Sequence, residues 1–171
     1  ELLGVDYQLG LRAEQTDRLL TQITLGKNYS YNQTHLFPSL NALKKIDNSQ
    51  QLQFSYSRRI NRPFEGALNP FPNYSDSYAY VVGNPELFPE LTNSVELNYQ
   101  YTFSSGVFLS AQTYYRSTNN SITQTALVGS DGRIVLSFGN VAKTYATGAE
   151  ITASIPVAVW FRLDPALNLY Q

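Results

Sequence analysis

The chain has 171 residues, 12 of them Lys or Arg against 13 Asp or Glu, with one His and no Cys. Balanced charge excludes the basic surplus of a nucleic-acid surface, and the lack of Cys excludes disulfides and thiolate metal sites. The length allows one ordinary core, and no stretch approaches the roughly 20 apolar residues of a membrane-spanning helix. A mean hydropathy of -0.26 looks soluble. Transmembrane β-barrels look the same, because only alternate residues of each strand meet lipid. The sequence begins at Glu1 without Met and ends in an apparent strand, so it reads as a piece of something larger.

Period-two alternation dominates the chain. Val5, Tyr7, Leu9, Leu11 and Ala13 form one face of the first run, with Asp6, Gln8, Gly10, Arg12 and Glu14 on the other. Residues 15–24 fit either a short helix or a continued strand. Residues 35–45 place Leu36, Leu40 and Ala42 on one face. Residues 51–60 set Leu52, Phe54 and Tyr56 against Gln51, Gln53, Ser55, Ser57 and Arg59. Residues 94–103 set Val95, Leu97, Tyr99, Tyr101 and Phe103 against Ser94, Glu96, Asn98, Gln100 and Thr102. Three further runs, 106–117, 145–155 and 159–171, behave alike, although Pro165 flaws the last by removing a ladder donor. Runs of about ten residues match transmembrane strands, whereas strands in soluble sandwiches are usually about five or six.

The links alternate in length. Short ones fall at 46–50, at 104–106 and near Pro156; long ones fall at 15–34, 61–93 and 118–144. In an up-and-down barrel this order puts every tight turn on one rim and every long loop on the other. A Greek-key sandwich has no reason to keep it. The expected fold is therefore all-β: a segment of an antiparallel up-and-down transmembrane barrel of about seven long strands.

One stretch is more specific than the alternation. Tyr56-Ser57-Arg58-Arg59-Ile60-Asn61-Arg62-Pro63 is followed by Leu68-Asn69-Pro70-Phe71 and by Gly83-Asn84-Pro85-Glu86-Leu87-Phe88-Pro89-Glu90. With Phe37-Pro38-Ser39-Leu40 before it and Glu96-Leu97-Asn98-Tyr99 after it, this combination resembles the barrel part of the TonB-dependent receptor-like outer-membrane proteins of Bacteroidetes. The resemblance is densest from 36 to 116. It implies a barrel of 22 strands around an N-terminal plug, and uptake of a scarce nutrient powered through TonB. On that reading residues 1–171 are a partial barrel domain, with the plug and the remaining strands outside this sequence. The implied partners are outer-membrane lipid, TonB and the plug through the missing part, and a surface lipoprotein. No cofactor is implied, and no ligand is named.

Several residues invite a functional reading. Arg58, Arg59 and Arg62 form a basic cluster that suits an anionic ligand or lipid headgroup; the plainer reading pairs Arg59 with a carboxylate such as Glu96. Tyr74, Tyr78, Tyr80 and Phe88 suit a stacking platform or an aromatic girdle at the bilayer edge. Asn84, within the proline-punctuated loop, suits either ligand contact or a rigid fold over the rim. His35 is the only histidine, and no Gly-x-Ser-x-Gly elbow accompanies it. Gly129-Ser130-Asp131-Gly132-Arg133 reads as a hairpin tip. The competing function is a soluble β-sandwich binding module, possibly for carbohydrate, stacking ligand on Tyr74, Tyr78, Tyr80 and Trp160. An enzyme would need a convergent acid, base or metal cluster that these residues do not supply.

Overall fold

The computed structural model describes residues 4–74, 76–141 and 143–171. Along the chain come β1 (Val5–Gln22), β2 (Lys27–Lys45), β3 (Gln50–Asn61), a single helical turn α1 (Glu65–Leu68), β4 (Ala79–Val81) and β5 (Glu90–Thr102). Then follow β6 (Phe108–Asn119), β7 (Ile122–Val128), β8 (Ile134–Asn140), β9 (Thr144–Ala158), β10 (Phe161–Leu163) and β11 (Ala166–Tyr170). The main sheet runs β1-β2-β3-β5-β6-β9, and β10 and β11 both pair with β9 as the last position of the arc. Every pairing in it is antiparallel. The seven positions of this arc are the seven expected runs.

Register decides what the alternation does. Antiparallel partners share a face. Tyr7, Ala42, Phe54, Leu97, Thr113, Ala149 and Leu169 therefore form one continuous row across the sheet. Leu52, Tyr99, Ala111, Ile151 and Leu167 form the next. The opposite face carries Asp6, Leu43, Gln53, Asn98, Gln112, Glu150 and Asn168 at one level, polar in all but Leu43. The apolar rows have nothing packed on them: Leu9 is 77% exposed and Leu11 72%. Among the described residues, strands make substantial contact only with their ladder neighbours, and no second layer packs on the main sheet to form a dry interior. That arrangement excludes the sandwich and leaves hydrocarbon as the medium for the apolar face.

Aromatic residues mark the height of that face. Tyr101 and Phe103 pack edge to face at 4.3 Å near the tight turns, close in level to the Trp160–Phe161 pair. Tyr115 and Tyr145 pair at 6.2 Å toward the other end. Tyr145 is level with Ser117 and Asn93. Ten residues of β5 then separate the belts; at ~3.3 Å per residue and a tilt of roughly 40°, the apolar band is about 25 Å tall.

The turns fall as the alternation of lengths requires, with three differences. Residues 15–34, expected as a long link, are not a loop; of the two readings of 15–24 the continued strand holds as far as Gln22. β1 and β2 stay paired without a break from Val5–Lys44 to Gln22–Lys27, closed by Gly26 at φ 61°. Above the bilayer both faces are wet, so the polar residues there lose the alternation without losing the strand. The last tight turn lies at Val159-Trp160, not at Pro156, which pairs with Arg162 beside a register shift. Pro is tolerated at such an irregularity. Finally, 118–144 is a β7–β8 hairpin that joins β4 in a separate three-stranded sheet, with β4 parallel to β8. Its tip is the expected turn at Gly129–Arg133, with Gly132 at φ 79°. Pro165 separates β10 from β11, but its carbonyl still accepts from the Ala153 N–H at 3.0 Å.

The β2–β3 turn is held by one carboxylate. The Ser49 N–H and hydroxyl both donate to Asp47 Oδ1, at 2.7 and 2.6 Å, and the Gln50 amide donates to Oδ2 at 2.9 Å. These donors, the Ser49 hydroxyl first, hold the Asp47 carboxyl below its ordinary range. A lowered folded pKa gives stability that is present above the unfolded value and is lost as pH falls through the folded one. The protection factors of the Ser49 and Gln50 amides, exchange measured against the intrinsic rate at the same pH, should therefore fall only below about pH 4. In an Asp47→Ala variant they should be low at every pH.

Candidate functional site

At the long-loop rim the buried side chains gather. Tyr31, Phe37, Ala67, Leu87 and Leu91 are the buried apolar residues among those described, and Leu87 is fully enclosed. The segment Gly83–Glu90 organises them. Gly83 N–H donates to the Asn69 carbonyl at 2.8 Å, and Asn84 N–H donates to that of Ala67 at 2.6 Å. The Asn84 side chain donates to the Phe138 carbonyl at 3.1 Å and accepts from the Glu86 N–H at 2.9 Å. Arg18, high on β1, donates to the carbonyls of Pro85 and Leu87 at 3.1 and 3.0 Å, with its guanidinium 5.2 Å from the Tyr31 ring centre. Partial burial lowers the Arg18 pKa and raises that of Tyr31. Glu90 accepts from the Asn61 side chain at 2.7 Å and from the Ile122 N–H at 2.6 Å. The proline-rich loop is thus tied to β1, β3, α1 and the β7–β8 hairpin. These bonds hold it against the long-loop end of the sheet.

Asn140 completes the tie. Its amide donates to the carbonyls of Phe88 and Asn120, at 2.9 and 2.7 Å, and its oxygen accepts from the Phe88 N–H at 2.8 Å. Asn140→Ala removes all three bonds. It should cost about 1–2 kcal/mol, since the freed groups are partly reachable by water. The readout is faster proteolysis of the 83–90 loop with the wall still protected.

The inward wall is polar and cross-linked. Gln53 donates to Asn41 at 3.1 Å and Ser110 to Asn98 at 3.0 Å. Arg116 lies 3.7 Å from Glu96 and 4.8 Å from the Tyr114 ring centre. Tyr114 rests on Gly148, its partner on β9, where a Cβ would come within 2.5 Å of the ring.

The basic cluster of the sequence does not converge. Successive strand residues point to opposite faces, so Arg58 lies on the outward face with Tyr56 while Arg59 lies inward opposite Thr92. Glu96 pairs with Arg116, not with Arg59, because the register places Ser55 opposite Glu96. Arg62 forms an ion pair with Glu14, which also meets Arg12 at 3.0 Å. The Tyr74 ring lies 5.1 Å from that of Tyr80 on β4, with Arg133 at 6.0 Å from Tyr74. Tyr78 stands nearby, 80% exposed, and all three lie off the transmembrane ladder. Trp160 sits at the opposite rim and cannot share a platform with them. His35 Nε2 is engaged with the Tyr31 hydroxyl at 2.9 Å. Arg18, Tyr31 and Asn140 were not legible as anchors of this loop, because the loop residues they meet, Leu87 and Phe88, lie 50 or more residues away in the chain.

The model of the outer membrane protein beta-barrel family matches residues 2–171. The chain belongs to that family. Its place is the bacterial outer membrane. Among solved structures, it is similar to the siderophore receptor PirA from Pseudomonas aeruginosa (TM-score 0.73, 17% identity, 98% of this chain and 34% of that one). It is similar to a ferric enterobactin receptor mutant from P. aeruginosa in complex with enterobactin (TM-score 0.73, 19% identity, 100% and 25%). It also resembles the copper transporter OprC (TM-score 0.73, 17% identity, 99% and 26%). At such identities the likeness concerns the fold, and the chain spans about a quarter to a third of these structures. No curated protein matches the chain. The structures matched are named as receptors and a transporter.

Proposed function

We propose that this outer-membrane barrel segment is part of a TonB-dependent receptor-like protein of the Bacteroidetes type. In that reading it binds a nutrient at the outer mouth and passes it inward along the polar wall. One observation carries the reading. A polar, cross-linked inner face continues upward into a rigid, hydrogen-bonded loop cover, so a ligand held there would already sit over an aqueous path. β1 on one side and β10–β11 on the other end the main sheet. Unpaired ladder groups in hydrocarbon cost several kcal/mol each, so further strands would complete the ring. Residues 1–171 are then a partial barrel domain, with a plug and TonB contact supplied by the rest of the protein. A surface lipoprotein is a fitting partner for the loop rim.

The experiment compares a strain deleted for the full-length gene with its complemented parent, each with and without TonB. Growth is followed on limiting ferric siderophore, copper or polysaccharide. Complementation that needs TonB in at least one medium is the expected result. Equal growth of both strains in every medium, or complementation that persists without TonB, would overturn the reading.

A further inference from the structure

Two side-chain atoms among the described residues are shut off from solvent with no hydrogen-bond partner, Arg58 Nε and Asn119 Oδ1. Register puts both on the outward face. Arg58 pairs with Asn93, and Asn93 with Ser117; one row higher, Ile60 pairs with Leu91, and Leu91 with Asn119. The two orphaned atoms therefore stand in adjacent rows, two strands apart, where the wall meets the long loops. The row of Arg58 is also the row of Tyr145, which marks the upper aromatic belt. Asn93 turns its amide oxygen to the Tyr56 hydroxyl at 2.9 Å, so its NH2 is the end that can donate elsewhere. Among the described residues no carboxylate pairs with Arg58. The carboxylates of these strands, Glu90, Glu96 and Glu150, all belong to the inward face. Arg59 also lacks a carboxylate, but it is exposed on the aqueous side, where water serves it.

We infer that this outward patch binds a phosphate of the glycolipid that forms the outer leaflet. A charged donor closed to its partners is costly, and hydrocarbon supplies no acceptor. The headgroup zone does, and the upper belt puts Arg58 at its level. A guanidinium presents Nε and one terminal nitrogen as a fork that fits two oxygens of one phosphate, and a turn of the long stem brings that edge out. The Asn93 NH2, on the neighbouring strand, donates to the same group. Asn119 Oδ1 needs the opposite partner, a hydrogen donor, so the ligand carries an O–H or N–H beside its phosphate. A phosphorylated, N-acylated amino sugar has both. Two strands span roughly 10 Å, the scale of a sugar unit with its phosphate and more than an inorganic anion covers. With no acidic side chain on this part of the lipid face, the anion approaches without repulsion. Neither orphaned atom faces the lumen, so cargo in transit does not supply the partners. The inference needs only the outer-membrane location and is independent of what the barrel carries.

The test uses the full-length protein in detergent, with bound lipid followed by native mass spectrometry. The probes are diphosphoryl lipid A, the same lipid stripped of its phosphates, phosphatidylglycerol, and inorganic phosphate as a competitor. Arg58→Gln, Arg58→Lys and Arg59→Gln are compared with the unaltered protein after heat-modifiable gel migration shows each to be folded. The diphosphoryl lipid should bind about tenfold or more tightly than its stripped form, and Arg58→Gln should lose that margin. Arg58→Lys keeps the charge without the fork; it should keep only part of the margin, and it carries the test if Arg58→Gln does not fold. Arg59→Gln removes the same charge from the inward face and should match the unaltered protein. Equal binding of the two forms of lipid A, full binding by Arg58→Gln or Arg58→Lys, or an equal loss in Arg59→Gln would overturn the inference. Phosphatidylglycerol bound as tightly as lipid A would overturn the choice of glycolipid, and displacement of the lipid by inorganic phosphate would replace it with a soluble anion.

Discussion

Gly83→Ala should dismantle the loop cover while the wall survives. A Cβ at Gly83 would come within 2.6 Å of both the N and O of Asn69 and 2.7 Å of the Ala67 carbonyl oxygen. All three are backbone atoms, so no rotamer relieves the clash. The two bonds that dock this stretch, Gly83 N–H to Asn69 and Asn84 N–H to Ala67, would open. Leu87 would then lose its enclosure. A cost of about 3 kcal/mol or more is expected. Intact cells treated with protease should show cleavage between Pro63 and Phe88, with the strands still resistant. Gly139→Ala is the control in the same assembly, because its Cβ would meet only a Thr125 methyl at 3.8 Å. Equal protease resistance in both variants would mean that the cover does not depend on this close approach.

A charge should be tolerated on one face of the wall and rejected on the other. Leu97 stands on the outward row, between Phe54 and Thr113, near the middle of the apolar band. Leu97→Arg places a guanidinium in hydrocarbon and should cost about 2–4 kcal/mol. The folded, heat-modifiable form in the outer membrane should fall sharply. Gln112→Arg sits inward, opposite Glu150, and should leave that form at its usual level. Equal folded yields of the two variants would break the assignment of lipid and lumen faces.

Those faces were legible because the alternation survives wherever one side meets lipid. Leu52, Phe54 and Tyr56 fall opposite Tyr99, Leu97 and Val95 with no adjustment. The tight turns at 46–49 and 104–106 were equally plain, since Asp, Asn, Ser and Gly cluster there. Where both faces are wet the signal stops. Asn28 and Asn32 lie in a paired strand above the bilayer, yet read as part of a long link, and Asp17 and Arg18, paired with them, read as either a short helix or a continued strand. Pro156 read as a turn because proline usually breaks a ladder, and the register shift beside it was not written in its neighbours. The partner of Glu96 depends on how many residues the β5–β6 turn consumes, and each other side-chain contact across the wall depends likewise on the register of its own strand pair. A cavity between the β1–β2 ribbon and the loop brings Gln22 and Phe71 together through chain that no local pattern links.

The β1–β2 ribbon continues for about eight residue pairs beyond the level at which β3 ends, which at ~3.3 Å each is roughly 26 Å of strand. Its tip carries Ile23 and Leu25, exposed and away from every wall contact. An epitope spliced in there would be reachable by antibody on living bacteria without disturbing the assembly beneath. Fluorescence from unpermeabilised cells would then report which way round the molecule sits.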